Sequence, residues 1–410
     1  MVRYWCGRSF ADCLLAGVCL LGVLGIFATP ALYAQALAPP SGSDQWDVSI
    51  AADNFQHIYV LYAQARLGAS GSVPAMTLVE SSDDGKTWQP PRQLTPPTIA
   101  GQSSPQIVID SADHRTIYAS WLERNGQDVM LAKSVDFGQS WSVFIADRAT
   151  APAQKPALAV SGQNVFVGFN RAQKMWVASS HDGGITYSRA TLETGEALTG
   201  ALAGNAAMDL QGNVYFAWAG NVQSTSNNVR VNLYISKSPD SGKTWATKLM
   251  DSSGAPAGCT AQNCEWGYMG AQISVAADAA GTLYAFWNSG PSKQAARVYF
   301  SSSTTQGETW SAKVDVSSAP QGANHVLPTI SAGAAGEVRI AWIDSRNSPD
   351  WSAYYRTSSN GGATWSKERM ISHYALTSSF MSVDTFDFLF GSQPEMAAME
   401  SNKDTTFPGL

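Results

Sequence analysis

Ser81-Ser82-Asp83-Asp84-Gly85-Lys86-Thr87-Trp88 is the first of six copies of one short pattern, Ser-x-Asp-x-Gly-x-Thr-Trp. The other five begin at Ser134, Ser180, Ser238, Ser303 and Ser358 and end on Trp141, Tyr187, Trp245, Trp310 and Trp365. The opening serines lie 53, 46, 58, 65 and 55 residues apart, a period at which repeated sequence means a propeller or a solenoid. Gly85, Gly138, Gly184, Gly242, Gly307 and Gly362 suit the positive φ of a tight strand-to-strand turn. The carboxylates of Asp83, Asp136, Asp182 and Asp240 are placed to accept hydrogen bonds from turn N–H groups. Each closing ring anchors its hairpin by burying roughly 150–250 Å². Two copies carry Thr305 and Asn360 in place of the aspartate, which fits a turn-stabilising role better than a reactive one.

Ahead of each copy runs a short β-branched and aromatic segment that reads as a strand: His57–Tyr62, Thr116–Trp121, Val165–Phe169, Val214–Trp218, Leu283–Trp287 and Val338–Trp342. Every one ends on an aromatic. Another short strand precedes each, such as Ile107–Asp110 or Ile273–Ala276, and a third, such as Val298–Ser303, runs into the pattern. The repeating unit is therefore strand A, turn, strand B, loop, strand C, box, strand D, which is one four-stranded blade.

In this multiplicity the chain resembles the Asp-box, or bacterial neuraminidase repeat (BNR), proteins of the sialidase superfamily. The resemblance covers about residues 46–371 and implies an all-β, six-bladed β-propeller with four antiparallel strands per blade. It specifies architecture, and a propeller hosts many activities. Around it, residues 1–36 are expected to be a secretory signal, 37–45 a short linker, and 372–410 a C-terminal tail. Within that tail, Val383–Phe390 is a candidate ring-closing strand.

The signal reading rests on Arg3 and Arg8, the apolar run Cys13–Ala28, and the small-residue site Ala34-Gln35-Ala36. It implies a secreted or cell-envelope protein, retention of the apolar run as an anchor being the alternative. Three cysteines fall in that segment, leaving Cys259 and Cys264, which an oxidising compartment would allow to close a small disulfide loop. A net charge of −6 without a basic stripe argues against nucleic acid and anionic membranes as partners. The five histidines show no metal-binding spacing, and the adjacent Asp83 and Asp84 supply too few oxygens for calcium. No cofactor or metal is implied, and a monomer is expected.

In an antiparallel blade the A–B and C–D turns share one end, so a working funnel is expected at the other, built from B–C and D–A loops. Sialidases require three arginines on a carboxylate, an aspartate acid/base and a tyrosine nucleophile. The blade 1 arginine that the resemblance implies is missing from Asp47-Val48-Ser49-Ile50. Arginines on the expected face are Arg66, Arg124, Arg171, Arg230 and Arg346. The catalytic candidates are Asp344, Arg346 and Tyr354, with Asp344 and Arg346 expected in a B–C loop spanning Ile343–Trp351. Ligand-binding candidates are Arg124, Arg230, Glu265, Trp266, Tyr268, Trp351 and Arg356. An Asp344–Arg346 pair that merely orders its loop is the competing reading. Three functions stay open: a propeller that binds glycans or another surface ligand, an exo-α-sialidase or related glycoside hydrolase, and a protein-docking propeller.

Overall fold

The computed structural model describes residues 43–66, 73–96, 101–222, 230–254, 270–347 and 350–374. The signal segment, Cys259 and Cys264 with Glu265, Trp266 and Tyr268, and the chain beyond Tyr374 lie outside the described residues. Among the described residues, twenty-four strands form six separate four-stranded antiparallel sheets, each in chain order. Blade 1 is β1 (Ser43–Ala52), β2 (Ile58–Arg66), β3 (Ala75–Ser81) and β4 (Arg92–Gln93). Blade 2 is β5 (Gln102–Ile109), β6 (Ile117–Glu123), β7 (Asp128–Ser134) and β8 (Ser142–Arg148). In blade 3 they are β9 (Ala153–Ser161), β10 (Asn164–Arg171), β11 (Lys174–Ser180) and β12 (Ser188–Leu192). Blade 4 holds β13 (Leu198–Met208), β14 (Val214–Val222), β15 (Arg230–Ser238) and β16 (Ala246–Gly254). β17 (Ile273–Ala277), β18 (Leu283–Ser289), β19 (Arg297–Ser303) and β20 (Val314–Asp315) make blade 5. Blade 6 is β21 (His325–Ala332), β22 (Val338–Asn347), β23 (Asp350–Ser358) and β24 (Arg369–Tyr374).

A central cavity of about 280 Å³ is lined by the first strands of all six blades, which identifies the array as a closed propeller. Among the described residues its lining, including Gln106, Ile107, Asn205, Val275, Ile330 and Ser331, carries no charged side chain. Hydrophobic packing lies between blades. Trp121 packs with Tyr59 and Met76 of blade 1, Trp218 with Phe166 of blade 3, and Trp342 with Phe286 of blade 5. Trp121, Trp218, Trp287 and Trp342 are fully buried, so the aromatic that closes each of these B strands is core.

The boxes form one hydrogen-bond circuit. In every copy the glycine N–H donates to the opening serine Oγ at 2.7–3.0 Å. In the first copy Ser81 Oγ donates to Asp83 Oδ1 (2.8 Å), which also accepts Thr87 N (2.8 Å), while Thr87 Oγ1 donates to Asp83 Oδ2 (2.6 Å). Those bonds, led by the threonine hydroxyl, hold the Asp83 carboxyl down at about 2. Thr305 Oγ1 and Asn360 Oδ1 accept the same backbone N–H, from Thr309 and Thr364, each at 2.9 Å. The ring sits half-buried above, and in three copies its indole N–H returns to the box glycine carbonyl at 3.0–3.1 Å.

The box glycine does a second job. All six have positive φ, and several also press onto the preceding blade. A Cβ on Gly362 would lie 2.2 Å from Phe300 of blade 5, and one on Gly184 2.5 Å from Leu131 of blade 2. On Gly85 it would meet nothing nearer than Ile58 at 3.4 Å. We therefore expect Gly85→Ala to cost about 1 kcal/mol from left-handed strain alone. Gly362→Ala is expected to cost about 3 kcal/mol because a ring must move as well. Chemical unfolding midpoints check this, and equal costs would show that the glycines serve only the turn.

Candidate functional site

The funnel is set by strand ends. Arg124 and Asn125 turn the β6–β7 hairpin with φ of 51° and 56°, and Ala172 and Gln173 turn β10–β11 with φ of 48° and 66°. The second pair is a left-handed two-residue turn that continues the strand twist, whereas the first belongs to a four-residue loop in which Gly126 is left-handed as well (φ 79°). The β22–β23 hairpin is longer than expected. Asp344 pairs in register with His325 on β21 and Ser352 on β23, and Asn347 with Asp350, so Asp344 and Arg346 lie inside β22 rather than in a loop. Extending the ladder satisfies backbone groups that a loop would leave to water.

Asp344, Arg346 and Tyr354 do come together. Asp344 is fully buried and accepts hydrogen bonds from Trp342 Nε1 (2.9 Å), Arg346 N (3.1 Å), Arg346 Nε (2.9 Å) and Arg346 Nη2 (2.6 Å). Arg346 also donates to Glu368 and, at 3.3 Å, to Ser317 Oγ. Its guanidinium lies 3.6 Å from the Tyr354 ring centroid, and the Tyr354 hydroxyl accepts Asn347 Nδ2 at 3.0 Å. Glu368 continues outward to Ser318 N (2.9 Å) and Ser318 Oγ (3.0 Å), so the network joins blade 6 to the chain arriving from blade 5. Burial opposes the Arg346 charge, but its two carboxylates hold the guanidinium pKa above its ordinary value. Glu368 was not read as part of this site.

The other predicted residues are spread out. Arg124 sits half-exposed at the blade 2 hairpin, 3.5 Å from Asp128, which Arg148 grips with two bonds of 2.7 and 2.8 Å. Arg230 opens β15, half-exposed, with Glu196 at 3.7 Å. Arg171 is buried, paired to Asp147 of blade 2 and bonded to the Gln127 carbonyl (3.2 Å). Trp351 is half-buried against Val326, Leu327 and Ile343. Arg356 lies toward the box end of β23, its Nε on the Ser366 carbonyl (2.9 Å) and its Nη1 on that of Val316, away from the funnel. At Asp47 to Ile50, where the resemblance implies an arginine, Asp47 Oδ2 accepts Ser104 N (3.3 Å) and Ser49 Oγ accepts Ile107 N (2.8 Å). That position fastens blade 1 to blade 2.

Two sets of polar groups escaped the sequence reading. At the A–B turns Asp53, Asp209 and Asp278 each accept two or more turn N–H groups and the hydroxyl of Tyr59, Tyr215 or Tyr284 at 2.6–3.0 Å. Burial first, then the neighbouring carboxylate, pushes these phenols well above the ordinary tyrosine range. An aspartate six residues before a strand-B tyrosine was the available signal. Second, Asp251 at the end of blade 4 takes Trp287 Nε1 (2.8 Å), Ser289 Oγ (2.7 Å) and Lys313 Nζ (2.7 Å) of blade 5. Burial opposes its ionisation, yet these donors hold its carboxyl below the usual range.

A family model described as a BNR repeat-like domain matches residues 47–269, more than half of the chain. The chain belongs to the BNR repeat-like family. With six four-stranded blades it is a BNR propeller. No curated protein matches it. Among solved structures it is similar to a protein of unknown function from Dyadobacter fermentans, at 13% identity and a TM-score of 0.46, covering 74% of this chain and 91% of that one. It is also similar to a Hadza microbial sialidase, at 15% identity and a TM-score of 0.43, covering 81% of this chain and 60% of that one. A third is an alpha-L-arabinanase of Penicillium chrysogenum, at 12% identity and a TM-score of 0.45, covering 75% and 91%.

His325 gives this BNR propeller a pH signature. It is fully buried, with Nδ1 2.8 Å from the Ala296 carbonyl and Nε2 2.8 Å from Ser317 Oγ. A carbonyl only accepts, so Nδ1 carries the proton and Nε2 accepts from Ser317, which is the neutral imidazole. Burial pushes its pKa down, outweighing Asp344 nearby. Unfolded, it regains the ordinary value near about 6.5, so below that pH the unfolded chain binds a proton that the folded chain does not. The unfolding midpoint is expected to fall as pH drops from about 7 to about 5, and His325→Gln is expected to flatten that decline. An unchanged slope in the variant would assign the decline to other groups.

Proposed function

We propose that the protein is an exported propeller that binds a glycan or another surface ligand at the funnel opposite its boxes and does not hydrolyse it. The observation that carries this reading is the closure of the blade 6 residues on themselves. Arg346 spends its donors on Asp344, Glu368 and Ser317, its face covers the Tyr354 ring, and the Tyr354 hydroxyl is held by Asn347. An arginine committed in this way serves the junction, whereas clamping a substrate carboxylate needs its forked donors turned to the ligand. The blade 1 position, given to Asp47 and Ser49, supports the same reading. Export rests on the N-terminal signal pattern.

Among the described residues, Arg124 and Arg230 are two funnel-end arginines about half exposed to water, and each pairs with its carboxylate only at 3.5–3.7 Å. Such loose surface pairs contribute little to stability and are readily exchanged for a ligand anion. Trp351 adds a ring at blade 6.

A glycan array probed with the wild-type protein, followed by calorimetric titration of its best ligand, tests this. Arg124→Ala or Arg230→Ala is expected to weaken binding at least tenfold with an unchanged melting temperature, and a fluorogenic sialoside is expected to show no turnover. Robust turnover abolished by Tyr354→Phe would establish the glycoside hydrolase instead. An empty array would leave the protein-docking reading.

A further inference from the structure

An unusual aromatic corner lies on the opposite, box-bearing face, between blades 1 and 2. The residue before the box glycine is left-handed in all six copies, with φ of 55–75° at Asp84, Phe137, Gly183, Ser241, Gln306 and Gly361. Five of these are small or polar. Phe137 is a large ring in a conformation that a bulky side chain adopts at a cost. The facing A–B turn departs from its counterparts in the same direction. Gln56 has φ of 73° where the turns of blades 4 and 5 carry Gly212 and Gly281, and its neighbours are Phe55 and His57.

These departures meet in space. Phe137 packs edge-on against Phe55, with centroids 5.7 Å apart at 72°, and lies 4.6 Å from the His57 ring. His57 is held in place by Asp53, buried beneath, whose Oδ2 lies 2.8 Å from Nδ1. The Arg115 guanidinium sits over Phe137, 4.7 Å from its centroid, and makes no ion pair among the described residues. Phe55 stays 49% exposed and Val135, in the same box as Phe137, 58%. Two rings at a steep angle therefore form an apolar corner, oriented by a buried carboxylate and topped by a permanent positive charge.

We propose that this corner binds an acidic sugar residue, its apolar C–H face against Phe55 and Phe137 and its carboxylate at Arg115. A sugar acid fits because it carries on one small body the two features the corner offers to receive: a non-polar ring face and an anion. A purely apolar occupant would leave Arg115 unused. A simple anion would leave strained Phe137 without purpose. The proposal stands on the box face alone and does not depend on the funnel reading.

The test is calorimetric titration of the full-length protein with tetragalacturonate and, as its neutral counterpart, cellotetraose. Tetragalacturonate is expected to bind at least tenfold tighter than cellotetraose. Arg115→Ala is expected to weaken it at least tenfold, and Phe137→Gly to abolish it while leaving the melting temperature equal to or above that of wild type, because glycine relaxes the left-handed turn. Arg124→Ala and Arg230→Ala, at the funnel, are expected to leave this binding unchanged, so the two sites fail separately. The proposal is overturned by no binding of tetragalacturonate, by equal binding of both oligosaccharides, or by indifference to Arg115→Ala and Phe137→Gly. A lowered melting temperature in Phe137→Gly would make the ring a packing residue, and self-association abolished by Phe55→Ser would make the corner an interface between copies; either overturns it too.

Discussion

One hydrogen bond recurs without exception: the box glycine N–H donating to the opening serine hydroxyl. It closes each C–D turn at a length that leaves the glycine bare, and at Gly184, Gly242 and Gly362 the bare Cα seats on a side chain of the blade before. Turn geometry and blade docking are thus one constraint. Asp, Thr or Asn completes the circuit equally well because each offers an oxygen to the same backbone N–H. Every box lies at one end of its blade, so the opposite end is free of this constraint.

What was legible in the sequence was local. The boxes span eight residues, and the strand B aromatics sit in runs of five or six, so turn chemistry and alternation reveal them without knowledge of the fold. Blade number and strand order followed. The polar fastenings between blades were hidden because their partners are distant in the chain and become neighbours only when blades stack. Asp147 meets Arg171 across 24 positions, Asp251 meets Trp287 across 36, and Arg346 meets Ser317 across 29. Asp344 and Arg346 stand two residues apart and so resembled a reactive pair. The third member, Glu368, was hidden because it meets Arg346 only in the folded blade. The Asp53, Asp209 and Asp278 turns were equally local, and their aspartate-to-tyrosine spacing was visible but overshadowed by the louder box.

The arginines divide by burial in a way that bears on function. Arg171 and Arg346 are withdrawn between blades, where carboxylates and carbonyls use their donors; removing one would strand charges that water no longer reaches. Arg124 and Arg230 at the funnel, and Arg115 at the box face, keep their charge toward water. A protein with a net charge of −6 that holds exposed arginines on both faces has local points of attraction for acidic ligands on a background that discourages indiscriminate binding.

Arg346 either fastens the blade 5–blade 6 junction or handles a substrate. A double-mutant cycle between Arg346→Ala and Glu368→Ala, read as unfolding free energy, asks this directly. If the pair is a junction fastening, each single change destabilises and the two are coupled by about 1–3 kcal/mol. Coupling below about 0.5 kcal/mol, with Arg346→Ala as stable as wild type, would contradict the account and return Arg346 to the candidates for chemistry.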